Sequence, residues 1–277
     1  MTDGQMSRVT ELSAAIPRGV AAPKNGRMFL DIACCTLPLD ISKRARSILE
    51  RGLPGMPSYE FIGDFVTILL PAQSGHPGSN VVLNQNPPAE EIIAFLNNHN
   101  RESQFAPCWA EDVMTALRPL GLNLNDFTFV ADSGRIDAAA ALWDQRVFKQ
   151  TVVRDYSPSL MRARPVLNLA ARFTGGTRLP AIGDVLRNAY VSHLAINPNK
   201  PDRLIQLITE LRGVAAQRGI ELITLGFAGN DPKLAVVRRS FRAREYHSRL
   251  YVVRWPDCGG AAQELDQRVL APEVALL

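Results

Sequence analysis

The chain has 277 residues, 46% of them hydrophobic and 21% charged, which is enough to bury one large core or two modest ones. Its formal net charge of +4 at pH 7 comes largely from basic clusters at 162–164 and 238–244. No apolar run approaches the roughly 18 to 20 residues of a membrane span, and the first residues lack the basic and apolar regions of a signal peptide. These features exclude a disordered or membrane-spanning chain, so we expect a cytoplasmic protein with no membrane partner.

The four cysteines are Cys34, Cys35, Cys108 and Cys258. They include one adjacent pair and show no CxxC spacing, which argues against a disulfide framework and against a structural zinc site. We therefore expect buried thiols and no bound metal.

The first part of the chain has the pattern of strand, helix and strand. An apolar run at 28–35 predicts a buried strand, an amphipathic helix begins at Asp40 and ends at Gly52, and 61–71 predicts a second strand. Residues 73–88 are rich in Pro, Gly, Ser and Asn, the composition of a linker. We expect a domain boundary there, with 1–72 forming a partial unit.

The remainder has a longer alternation of helices and strands. Helices at 88–100 and 107–121 precede a hairpin whose tight turn is Asp132-Ser133-Gly134. The segment 148–188 follows, and it is too long for a plain connection, so we predict that it is functional or an interaction surface. After it, strands at 188–197, 220–229 and 248–255 alternate with helices at 201–219 and from 232. The tail 258–277 is expected to be flexible.

This order of elements over 89–257 resembles the GNAT superfamily of N-acyltransferases, whose α/β fold has a mixed sheet splayed to admit acyl-CoA. The segment ARSILERG…YEFIGDFVTILL is similar to LAVVRRSFRAREYHSRLYVVRW, because each joins an Arg-bearing helix to a strand of aromatic and β-branched residues. The resemblance thus implies a tandem GNAT-like protein in which 1–72 is a truncated first copy and 148–188 is an insert.

The resemblance implies acetyl-CoA or another acyl-CoA as cofactor. In the family, a glycine-rich loop at a helix N-terminus binds the CoA diphosphate, but the equivalent stretch INPNKPDRLIQLI contains no glycine. Lys200, Arg203 and the first-turn N–H groups could replace the glycine contacts by charge; alternatively Pro201 is the first helical residue and Asp202 repels a phosphate. The cofactor-binding set implied is Leu194, Ile196, Lys200, Asp202, Arg203, Leu204 and Asn230. Asn230 corresponds to the asparagine near the pantetheine arm, although Asn230 or Asp231 would equally serve as a helix N-cap.

The family's chemistry needs a base for the amine proton and an acid for the thiolate. The catalytic residues implied are His193 and Tyr190 on the fourth strand of the GNAT-like unit and Tyr246 near the last strand. The family's tyrosine, about seven residues beyond the asparagine, is Val237 here, so Tyr246 or Tyr251 would have to substitute. His193 has a suitable ordinary pKa, but a lone strand histidine is also a common structural hydrogen-bonding residue.

Two functions are compatible with these features. The first is an acyl-CoA-dependent N-acyltransferase that transfers an acetyl or acyl group to an amine. The second is a catalytically degenerate GNAT-like binding or assembly module. Such a module could assemble as a homodimer. Nucleic-acid binding through the basic helix at 238–244 is disfavoured because that helix should pack on the sheet. The two functions differ in whether the gap between the strands at 188–197 and 220–229 is open or filled.

Overall fold

The computed structural model describes residues 32–38, 58–73, 87–174, 178–254 and 268–277. The strands in these ranges are β1 Ile32–Pro38, β2 Ser58–Pro71, β3 Ser103–Gln104, β4 Phe127–Asp132, β5 Arg135–Trp143, β6 Asn188–Ile196, β7 Leu222–Ala228, β8 Arg244–Arg254 and β9 Val269–Leu270. The α-helices are α1 Ala89–Asn100, α2 Glu111–Ala116, α3 Pro158–Thr174, α4 Arg203–Gln217 and α5 Pro232–Ser240. None of the helices in these ranges has the length and apolar content to cross a bilayer.

Seven strands form one mixed sheet in the order β1-β8-β2-β7-β6-β5-β4. Only β6 and β7 pair in parallel; the other neighbours within this sheet pair antiparallel. The predicted α/β class with a mixed sheet is confirmed. The parallel pair requires a crossover, and α4 provides it.

The second helix is shorter than its sequence pattern predicted. α2 covers Glu111–Ala116, whereas the pattern predicted a helix over 107–121. Pro119 lies in a following 3-10 turn, and Gly121 has a left-handed φ of 83°. The proline cannot donate a helical hydrogen bond and the glycine reverses the backbone, so the α-helix ends before them.

β2 lies between β7 and β8, and this position was not predicted. Phe65–Pro71 pairs with β7, and residues 58–69 of β2 pair with β8 across a bulge between Phe61 and Gly63. β1 extends the sheet beyond β8. The described strands of the predicted partial unit therefore complete the sheet of the GNAT-like unit, and a separate first copy is not confirmed. The predicted helix over 40–52 and most of the predicted linker lie outside the described residues.

Helices cover both faces of the sheet. On one face, Leu204, Leu207, Ile208 and Leu211 of α4 recur at helical spacing and are fully buried. α1 packs on the other face through Ile92 and Leu96. β5 separates the two cores by its alternation, because Ala138, Ala140 and Leu142 join the first core while Ala139, Ala141 and Trp143 join the second.

The last ten residues pack against the rest of the protein. We name residues 268–277 the C-terminal strap. Its β9 pairs with β3, and Leu270, Val274 and Ala275 are buried. A flexible tail was expected for 258–277, of which 258–267 lie outside the described residues. The strap does not match that expectation, because its apolar side chains are buried in the core.

Candidate functional site

The parallel strands β6 and β7 separate soon after they begin. They pair at only three positions, Asn188 with Leu222, Ala189 with Ile223 and Tyr190 with Thr224. From Val191 on β6 and Leu225 on β7 the two strands diverge towards their carboxyl ends. We call this opening the splayed gap, and it is where ligands bind in open sheets of this kind.

A bulge in β6 accompanies the divergence. The register between β5 and β6 shifts between Ala139 and Ala141, opposite Ser192 and Ala195, and His193 has a left-handed φ of 56°. This conformation is uncommon for a residue other than glycine, and it turns the His193 N–H away from the ladder. That N–H donates to Glu273 Oε2 of the C-terminal strap over 2.7 Å.

The His193 side chain is enclosed by aromatic rings. Its ring stacks on Trp109 with a centroid separation of 3.7 Å and meets the edge of Phe127 at 5.3 Å, while Nδ1 lies 2.9 Å from Ser192 Oγ. Burial lowers the pKa of His193 to about 3. An imidazole with so low a pKa is a weak base at neutral pH, which favours the structural interpretation of His193 over the catalytic one.

The C-terminal strap fills the splayed gap. Val274 packs with Phe65, and a Cβ added to Gly226 of β7 would lie 2.6 Å from Val274 Cβ and 2.5 Å from Phe65 Cζ. Only glycine leaves room for this contact. The Ala275 carbonyl also accepts a hydrogen bond from Gln145 Nε2 over 2.8 Å.

Glu273 places a carboxyl group inside the gap. The residue as a whole is half-buried, but its carboxyl group points into the protein. This group accepts hydrogen bonds from the N–H groups of His193 and Ala275. Burial raises the pKa of Glu273 to about 7, against the opposing effect of these two hydrogen bonds. The carboxyl group therefore changes its charge near neutral pH.

A small polar cavity remains beside Glu273. It has a volume of about 60 Å³ and is lined by residues that include His99, Trp109, His193, Asp231 and Lys233. Within the described part of the chain, His99 Nδ1, Trp109 Nε1 and His193 Nε2 are buried without a hydrogen-bond partner. Burial and the charge of Lys233 lower the pKa of His99. A cavity of this size holds a few waters, and it is too small for a pantetheine arm.

The cations predicted to bind a diphosphate are already paired. Lys200 Nζ lies 2.8 Å from Asp137 Oδ2 and 3.1 Å from Asp132 Oδ2, and these bonds raise the pKa of Lys200. Arg203 lies 3.8 Å from both carboxylates. The hairpin that carries the two aspartates thus neutralises the charge on which glycine-free diphosphate binding would depend.

The first turn of α4 has also used its backbone donors. The N–H groups of Arg203 and Leu204 donate to the carbonyls of Lys200 and Pro201 over 3.1 and 3.2 Å. The Leu204 side chain belongs to the core, and Asp202 is exposed in front of the helix. These residues do not fit an acyl-CoA diphosphate, because the Arg203 and Leu204 N–H groups and the Lys200 and Arg203 cations are engaged within the chain and Asp202 adds a negative charge.

The two predicted tyrosines lie on different strands that are not neighbours. Tyr190 is half-buried on β6, its pKa is raised by burial, and Lys149 Nζ lies 5.1 Å from its ring centroid. Tyr246 is 50% exposed on β8, which β2 separates from β7. The fold therefore does not bring Tyr246 to the splayed gap next to Tyr190.

The other predicted cofactor residues divide between core and surface. Ile196 is buried in the core, and Leu194 lines the small cavity. Asn230 is exposed in the turn after β7, whereas Asp231 is the N-cap of α5 and accepts a hydrogen bond from the Lys233 N–H over 2.8 Å. The capping interpretation thus applies to Asp231.

Residues that sequence reasoning missed define the filled gap. They are Trp109, Gly226, Glu273 and Val274, and none belongs to a motif. The apolar run VLAPEVALL at 269–277 was a usable signal, because a flexible tail is seldom so hydrophobic. Cys108, beside Trp109, is exposed although a buried thiol was predicted. No three His, Cys, Asp or Glu side chains of the described ranges are grouped to hold a metal ion.

Comparison with known proteins gives a partial match in sequence. The chain is 30% identical over 135 residues to a leucine–tRNA ligase of Frankia alni and 29% identical over 140 residues to that of Frankia casuarinae. These stretches are 47% and 50% of this chain but only 12% of each ligase. The chain thus spans about an eighth of the length of these relatives. No protein-family model matches it.

Solved structures are similar in fold. A protein described as an acetyltransferase of the GNAT family from Novosphingobium aromaticivorans has a TM-score of 0.46 and 16% identity, over 81% of this chain and 74% of that chain. A GCN5-related N-acetyltransferase from Sphaerobacter thermophilus has a TM-score of 0.46 and 11% identity, over 80% of this chain and 59% of that chain. These identities and TM-scores describe a distant likeness and support no statement about activity.

Proposed function

We propose that this chain is a binding or assembly module built on a GNAT-like scaffold, and that it does not bind acyl-CoA in the described conformation. The observation that carries this proposal is the C-terminal strap in the splayed gap. Leu270 and Val274 are 9% and 8% exposed and line the remaining cavity, and Val274 packs against Gly226 of β7, on the side of the gap where a pantetheine arm would have to enter.

The cost of moving the strap supports the proposal. Burying one Leu or Val side chain contributes about 1.5–3 kcal/mol, so releasing Leu270 and Val274 costs about 3–6 kcal/mol. A ligand that needs the released state loses apparent affinity in proportion to its population, by roughly two to four orders of magnitude. The paired Lys200 and the occupied N–H groups of α4 reduce the affinity further.

One observation favours a second candidate, the acyl-CoA-dependent N-acyltransferase with an amine acceptor. The bulge at His193 presents a backbone N–H inside the gap, where it binds a carboxylate oxygen of Glu273. A donor in this place could bind another oxygen if the C-terminal strap were to leave. In that case the strap would control access to the cofactor.

Calorimetric titration with acetyl-CoA distinguishes the candidates. The proteins compared are the full chain, Val274→Asp, which puts a charge at a buried position of the strap, and Leu276→Asp, a matched control at a 43% exposed position of the same strap. Circular dichroism establishes that each variant is folded.

We expect no saturable binding of acetyl-CoA at millimolar concentration by any of the three proteins. Binding by Val274→Asp alone would instead establish that the strap controls access of acetyl-CoA, as the second candidate requires. Binding by the unmodified chain would overturn the proposal outright.

A further inference from the structure

The insert at 148–188 exposes an unusual share of apolar surface. Of the fourteen large hydrophobic side chains exposed in the described residues, eight belong to it: Phe148, Val152, Val166, Leu167, Leu169, Phe173, Ile182 and Val185. Single exposed hydrophobic residues need no explanation, but a concentration of them marks an interaction surface. Half of these side chains lie in α3, so α3 is the part of the insert in which we look for the predicted interaction surface.

One face of α3 is fixed to the neighbouring segment. Arg164 Nε and Asn168 Nδ2 donate to the Leu179 carbonyl over 3.1 and 3.0 Å, and the Leu179 N–H donates to Asn168 Oδ1 over 2.7 Å. Arg164 and Asn168 are four residues apart and thus share that inner face. The orientation of the helix is set by these bonds.

The other face of α3 has an apolar stripe. Val166, Leu169 and Phe173 follow at intervals of three and four residues, so they lie in one row along the helix. Their exposed fractions are 69%, 58% and 80%. We name these three residues the α3 stripe. Because it lies on a convex helix surface rather than in a groove, it suits an occupant that can deform around it.

The charge of the insert identifies the chemistry of that occupant. Seven Lys and Arg residues and two Asp residues give the insert a net charge of +5, whereas the rest of the chain carries −1 of the total of +4. α3 itself contains three arginines and no acidic residue. A symmetric dimer would place two identical basic surfaces face to face, which is unfavourable. The occupant should therefore be anionic.

We propose that α3 docks on an anionic phospholipid surface as an interfacial helix, with the α3 stripe in the headgroup boundary and Arg162 and Arg172 beside the lipid phosphates. Such helices combine basic residues with Phe and Leu and need no membrane span. The expectation of no membrane partner rested on the lack of a spanning run, and that condition does not apply to a helix lying on the surface. Docking through α3 is independent of whether the splayed gap binds acyl-CoA.

The expected dependence on lipid charge is steep. Each basic residue held near an anionic leaflet strengthens binding roughly fivefold, so Arg162 and Arg172 together contribute about 25-fold. If Leu169 and Phe173 no longer bury apolar groups in the membrane, binding weakens by at least about a hundredfold. Both effects are large enough to measure by sedimentation with vesicles.

The test is co-sedimentation of the full chain with phosphatidylcholine vesicles, with and without about 30 mol% phosphatidylglycerol, at roughly 0.1 M salt. The variants are Leu169→Glu with Phe173→Glu, and Ile205→Glu as a matched control, since Ile205 is an exposed apolar residue of a different helix. We expect binding only with phosphatidylglycerol, loss of binding in the double variant and full binding by the control.

Several results would refute lipid docking. Equal binding to neutral vesicles, or binding that the double variant retains, would exclude the α3 stripe as the contact. No vesicle binding by the full chain would leave a protein as the occupant and overturn the proposal. Light scattering of the same samples adds a further criterion, because an oligomer that the double variant dissociates would assign the stripe to a second copy of this chain.

Discussion

Replacing Glu273 by glutamine should remove a pH dependence from the stability of the fold. In the folded protein the pKa of Glu273 is raised to about 7 from the ordinary 4.5, because its carboxyl group is buried in the splayed gap. The folded state therefore keeps a proton that the unfolded chain releases. The stabilisation is fully present below about pH 4.5, declines as the pH rises through about 7 and is absent above it.

The magnitude follows from the two pKa values. At about 1.4 kcal/mol for each pH unit, the difference between about 7 and 4.5 corresponds to about 3 kcal/mol. Most of this should be lost between about pH 5 and pH 8. Glutamine keeps an oxygen for the His193 N–H, so Glu273→Gln should retain the C-terminal strap without this loss.

Urea unfolding at about pH 5 and pH 8 measures the effect as a difference between the native chain and Glu273→Gln. His193 titrates in the opposite sense, since its lowered pKa favours the folded state at higher pH, and its contribution cancels in that difference. Glu221→Gln, at an exposed glutamate, is the matched control and should keep the native pH dependence. If the native chain and Glu273→Gln lose the same stability between the two pH values, Glu273 is not buried in the gap as described.

Two further predictions concern the strap and the turn after β7. Gly226→Ala should destabilise the protein by about 1–3 kcal/mol, because its Cβ would overlap Val274, whereas Gly213→Ala on α4, where space is open, should be neutral or stabilising. Thermal unfolding compares them, and equal effects would contradict the packing of the strap. Asp231→Ala should cost about 1 kcal/mol by loss of a helix cap, while Asn230→Ala should stay within about 0.5 kcal/mol. A larger loss for Asn230→Ala in urea unfolding would reverse the assignment of the cap.

The elements of the GNAT-like unit could be predicted because their signals are local. Leu204, Leu207, Ile208 and Leu211 repeat at helical spacing, and the hairpin of β4 and β5 has its glycine in the turn. Neither signal depends on residues far away in the chain.

The candidate site was predicted less well because its residues meet from distant positions. His193 has a suitable ordinary pKa for a base, and only its enclosure by Trp109 and Phe127 lowers that pKa to about 3. Lys200 had the charge expected of a diphosphate ligand, but nothing local showed that Asp137 would pair with it.

The sequence by itself determined most of the helices and strands between residues 89 and 254, and hence the mixed α/β class, because hydrophobic periodicity acts within a few residues. The tertiary structure alone decided what fills the splayed gap and which carboxylates pair with Lys200. Its deciding contacts join residues 63, 80 and 130 positions apart: Lys200 with Asp137, His193 with Glu273, and Gln145 with Ala275. Contacts at such separations depend on the packing of the whole sheet, and no local pattern specifies them.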